Sequence, residues 1–196
     1  MRRLTLIAIL LVGLAFTLTA CGGSDDPDTA LVSTVEAGSE LTLSGKSSQL
    51  DLDPITSGVL SGAGVTVEAA EPATGAGKKF DVPVIGGKLT SGTLAGTIEH
   101  EGGITFVAGD KRVKYSDLKV DTVAEQVFTG DKGTTPVFDL DFGDVQRSDD
   151  GGTIVLKRIV ATLGIEAARE LNAGLEVSAF VPRQVIGKIT VRATGQ

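Results

Sequence analysis

Tryptophan is absent from this 196-residue chain, and tyrosine, histidine and cysteine occur once each, as Tyr115, His100 and Cys21. With only seven Phe besides, the chain has little from which to build stacked-ring sites such as many single-stranded nucleic-acid grooves. A lone thiol excludes an internal disulfide. One histidine, with no Cys or carboxylate at ligand spacing, excludes the common zinc arrangements. No Gly-x-Ser-x-Gly segment is present, and no Ser or Asp is tied to His100 by spacing, so no catalytic residue is assigned and the chain reads as non-enzymatic. Basic residues are also few: 18 Lys and Arg stand against 25 Asp and Glu, a net charge of −7. Such a surface repels phosphate backbones, which excludes nucleic acid as a partner.

What is present begins with a leader. Arg2 and Arg3 form a basic start, and Leu4 to Leu18 is a 15-residue apolar run. That run is shorter than the ~20 residues a bilayer span needs. Small residues follow and then Cys21, the order of a secretory signal. Leu18-Thr19-Ala20-Cys21 resembles the lipobox of bacterial lipoproteins. The resemblance implies cleavage before Cys21, lipid attachment at its thiol, and a protein held on the extracytoplasmic side of a cell membrane without crossing it. Two acyl chains give stable anchoring at ~0.8 kcal/mol per buried methylene. Loss of Arg2 and Arg3 with the leader makes the remainder more acidic still. Gly22 to Asp28 is polar and acidic and reads as a tether. The expected organisation is a signal peptide over 1–20, a tether over 21–31 and one β-rich domain over 32–196.

The 26 glycines punctuate short apolar runs, which suits an all-β fold with many turns. Phe80 to Val120 is the most legible stretch. Gly96, Ile98 and His100 share one parity; Ile104, Phe106 and Ala108 resume it after Glu101-Gly102-Gly103, and Val113 and Tyr115 follow a turn at Gly109-Asp110. This predicts an antiparallel meander of three strands. Pro83 in Phe80–Ile85 points to an edge strand. Asp53-Pro54 predicts a helix start with Asp53 as N-cap. Further strands are expected over 65–70, 124–128, 136–142, 153–163, 175–181 and 185–191, with a second short helix over 165–172. The fold class expected is an antiparallel β-sandwich-like domain with one or two short helices.

Three groups invite chemistry. Gly75-Ala76-Gly77-Lys78-Lys79 echoes a phosphate loop, but Pro72 and Lys79 stand at the wrong positions and a strand follows. Asp139, Asp141 and Asp144, with Asp149 and Asp150 beyond, offer hard oxygens for Ca²⁺; their alternation with Phe138, Leu140 and Phe142 is also that of a solvated strand face, and no metal is assigned. In a meander, His100 and Tyr115 would lie ~10 Å apart at one sheet edge. There they could converge on a flat ligand, since a Tyr oxygen can hold haem iron with His as ligand or hydrogen-bond partner. The stretch Gly96 to Ile104, with Val113 and Leu118 to Asp121, resembles part of the HtaA-type domain over about residues 80–130. That family is associated with haem uptake at the surface of actinobacteria. The resemblance implies haem or a small ligand, with His100 at a matching position. Without it, the residues point to a binding or structural module with an envelope protein as partner.

Overall fold

The computed structural model describes residues 38–130 and 133–196. The leader, Cys21 and the tether lie outside the described residues. Among those described, no helix is long and apolar enough to cross a membrane.

The chain opens with β1 (Glu40–Leu52), a 13-residue strand. A bulge at Gly45-Lys46, both with positive φ, shifts its phase, so Leu43 faces inward before it and Ser48, Leu50 and Leu52 face inward after it. α1 (Pro54–Gly62) follows, started as the sequence predicts: the Asp53 carboxylate accepts from the N–H groups of Ile55 and Thr56 at 2.9 and 3.0 Å. Then come β2 (Val65–Ala70), β3 (Thr74–Ala76), β4 (Lys79–Thr90) and β5 (Gly96–His100). β6 (Gly103–Ala108), β7 (Lys111–Ser116), β8 (Lys119–Asp121), β9 (Gln126–Thr129) and β10 (Thr135–Asp141) follow. The last elements are β11 (Gln146–Asp150), β12 (Thr153–Leu163), α2 (Ile165–Leu175) and β13 (Val185–Gly195).

All-β architecture with two short helices is as expected, but the arrangement is a closed barrel and not a sandwich. The order β1-β13-β12-β10-β9-β8-β5-β4 returns to β1, because β1 pairs with β13 on one edge and with β4 on the other. Closure removes the exposed edges that a sandwich would leave. β3 extends the ring beside β4, and β11 extends it beside β12. The Gly75–Lys79 segment is the β3–β4 hairpin. Pro83 lies in a strand paired on both sides, just past the last β4–β5 pair at Val84 and His100, so a strand without free edges tolerates it.

The expected three-strand meander is half right. β6 and β7 pair as a hairpin, and β2 joins them in a separate three-stranded sheet. β5 does not pair with β6; it belongs to the barrel between β4 and β8. The segment read as a hairpin turn is a crossing between sheets. At Gly103, a Cβ would collide with the Tyr115 carbonyl oxygen across the β6–β7 ladder. At Gly102, with φ +76°, a Cβ would sit 2.7 Å from the Ala73 nitrogen.

α2 packs on β6, β7 and β10 and joins the small sheet to the barrel wall. Its buried face is Ala167, Ala168, Leu171 and Leu175, each Leu contributing about 1.5–3 kcal/mol. Glu176 ends it in the left-handed conformation. The strand expected over 175–181 therefore does not form. The Asn172 side chain instead holds the chain there, donating to the Phe180 carbonyl at 2.7 Å and accepting its N–H at 3.1 Å.

Candidate functional site

Inward alternation on β5 buries Ile98 and His100 and leaves Glu99 exposed. His100 is 5% exposed, with its ring on the inner face between the strands that flank β5. Its Nε2 lies 2.7 Å from the Ser48 hydroxyl on β1, and its Nδ1 lies 3.1 Å from the Leu118 carbonyl beside β8. The same carbonyl accepts the His100 backbone N–H at 2.9 Å, so one oxygen clamps both ends of the residue. Burial pushes the imidazole down from 6.5 to about 4, outweighing the Leu118 and Ile98 carbonyls, which favour the proton. At neutral pH the ring is therefore uncharged. A carbonyl only accepts, so Nδ1 carries the hydrogen and Nε2 offers its lone pair; the Ser48 hydroxyl donates to it.

This pair lines a cavity of about 50 Å³ inside the barrel, walled by Leu50, Val120, Phe138, Ala161 and other apolar side chains from around the ring. Drug-sized ligands occupy pockets of roughly 300–1,000 Å³, so the interior is too small for one. A second space, of about 480 Å³, opens on the outside of the same wall. Ile85, Leu118, Lys119 and the glycines Gly130 and Gly133 line it, with Glu99 and Asp117 as the acidic members. His100 and Leu118 line both spaces. Ile85 is 57% exposed and gives the groove an apolar edge.

Tyr115 is placed elsewhere. It lies on β7 in the small sheet, with its ring edge-on to Phe106 and Phe138 at centroid distances of 6.2 and 6.4 Å. Its hydroxyl donates to Glu170 on α2 at 3.2 Å. Burial first, and then the Glu170 charge and hydrogen bond, hold the phenol well above its ordinary value. Tyr115 lines neither the cavity nor the groove, so the structure does not bring the two expected residues together. The acidic residues are dispersed: Asp139 accepts from Gln126, Asp141 accepts from the Gly143 N–H, and Asp144 faces Arg158 at 3.9 Å. Among the described residues, no three His, Cys, Asp or Glu side chains are grouped as a metal would require.

Ser48 was not singled out by the sequence reading. The available signal was its parity with Leu50 and Leu52, which marks a polar residue on a buried face.

No protein-family model matches the chain, and no curated protein matches it significantly. Solved structures do. The crystal structure of the C-terminal domain of HtaA from Corynebacterium glutamicum covers 80% of this chain and 99% of its own, at 15% identity and a TM-score of 0.58. The haem-binding protein HtaB from the same organism covers 81% of this chain and 96% of its own, at 11% identity and a TM-score of 0.52. At these identities the likeness is one of fold, and the chain has the HtaA-type fold.

Proposed function

We propose that this domain is a non-enzymatic module that binds a flat, largely apolar small molecule in the outer groove beside His100, with haem as the ligand to test first. The observation that carries this reading is His100 itself, a neutral imidazole set in the wall between an apolar interior and a groove of ligand size. The residues fit haem in kind. An imidazole nitrogen is a common ligand to haem iron, Ile85 and Leu118 offer apolar contact, and Lys119 offers a cation for carboxylate substituents. Bound haem would supply an iron centre and a visible absorption band. Tyr115 has no part in this reading, because its hydroxyl is committed to Glu170 and its phenolate is disfavoured.

The module is carried on a membrane by lipid at Cys21, on the extracytoplasmic side, as the lipobox-like segment indicates. HtaB, described as haem-binding, supports the choice of ligand through shared fold alone. Titrating haemin into the folded protein tests the reading. The expected result is a saturable change in the Soret band that His100→Ala weakens at least tenfold and Tyr115→Phe leaves unchanged. A spectrum identical to that of free haemin overturns it. A protein partner is the second reading. It is favoured by exposed Ile55 and Val59, one turn apart on α1 near Val185. A photo-crosslinker at position 59 that captures one defined envelope protein would support it.

A further inference from the structure

We propose that Ser48 is the internal competitor for the His100 site, a positioning residue whose hydroxyl occupies the one imidazole lone pair that an incoming Lewis acid or hydrogen-bond donor would need. The proposal rests on the small-ligand reading above and adds how that site is controlled. A neutral imidazole has one donor and one acceptor nitrogen. The donor is spent on the Leu118 carbonyl at 3.1 Å. The acceptor is spent on Ser48 at 2.7 Å, the shorter of the two contacts. Ser48 belongs to β1 and Leu118 precedes β8, so the ring ties together strands on either side of the β4–β5 pair.

The lone pair therefore points into a 50 Å³ space that admits no large ligand, while the ring's other surface borders the 480 Å³ groove. For the imidazole to serve a ligand in the groove, the Ser48 bond must break and the ring must turn outward. The ladders at this point are the shortest in the ring. β8 contributes three residues and is joined to β5 by three residue pairs and to β9 by three, against eight between β1 and β13. Such short ladders open locally more readily than long ones. Ser48 thus sets how often His100 is available, without itself touching the ligand.

Two substitutions separate this role from a merely structural one. Ser48→Ala removes the competing donor. Ser48→Thr keeps a hydroxyl, and its extra methyl has the cavity to enter. The probe is diethyl pyrocarbonate, which takes the lone pair of a neutral imidazole; His100 is the only histidine, so the signal has one source. Ser48→Ala is expected to react about tenfold faster than the parent, in line with loss of one hydrogen bond, and Ser48→Thr at the parental rate. Haemin affinity should rise in the same order. Equal reactivity of parent and Ser48→Ala, or a parent in which nitrogen NMR places the hydrogen on Nε2, overturns the proposal. Faster reaction of Ser48→Ala with no haemin binding by any variant leaves Ser48 as the competitor and removes haem as the ligand.

Discussion

Replacing His100 with Leu should flatten the acid side of the stability profile. In the folded barrel the imidazole is held at about 4, against 6.5 for the ordinary side chain. At 1.36 kcal/mol per pH unit, that difference corresponds to about 3 kcal/mol of linkage. Above pH 6.5 the ring is neutral in both folded and unfolded chains, and this contribution is fully present. As the pH falls from 6.5 toward 4, the unfolded chain binds a proton that the folded chain refuses, and stability drains away. Below about 4 both states are protonated and the slope ends. Between pH 7.0 and 4.5 the parent should therefore lose about 2.5 kcal/mol more than His100→Leu in urea unfolding. At pH 7.0 the variant starts lower by about 1–2 kcal/mol, because the buried Ser48 hydroxyl loses its partner. The Leu118 carbonyl keeps the backbone N–H of residue 100 and is not orphaned. Proton NMR reads the same quantity directly, since one histidine gives one titration curve. A midpoint near 6.5 in the folded protein, or parallel pH profiles for parent and variant, would refute the account of a desolvated ring.

Other substitutions probe separate parts of the structure. Tyr115→Phe should cost about 1 kcal/mol in chemical denaturation, because it removes a long bond to an exposed carboxylate and keeps the ring packing. Asp53→Ala should cost about 0.5–2 kcal/mol by leaving two N–H groups of α1 without their cap, seen as a lower denaturation midpoint. Gly103→Ala drives a methyl into the Tyr115 carbonyl oxygen and should destabilise by more than ~3 kcal/mol, read as loss of a cooperative thermal transition at growth temperature. Cys21→Ala should move the protein from the membrane to the soluble extracytoplasmic fraction; an unchanged membrane fraction, with no lipid mass on parental Cys21, would count against anchoring there.

Local grammar was readable directly from the residues. Asp53 followed by Pro54 starts a helix because one carboxylate and one fixed φ satisfy the needs of a helix N-terminus, whatever packs around it. The run Thr153 to Leu163 is a strand with those same bounds. The parity of Ile98 and His100 set both side chains facing inward. The strand expected after α2 failed because Asn172 offers the following loop its hydrogen bonds from one side chain, a local option that apolar spacing does not reveal.

Alternation tells a strand which of its faces is buried, but not which strand lies beside it. The ring closes through β1 pairing with both β4 and β13, contacts between segments far apart in sequence, and a sandwich would show the same local pattern. β5 and β6 look like a hairpin because two residues separate them, yet the chain crosses at Gly102 and Gly103 into a different sheet and parts His100 from Tyr115. Ser48 meets His100 only because a bulge in β1 turns an even-numbered serine inward and barrel closure sets β1 beside β4, one strand from β5. Sequence determined the all-β class of the fold and the one histidine on a buried face. Tertiary structure decided that histidine's partners, because hydrogen bonds in a closed sheet are chosen by register over long separations, which no short-range pattern encodes.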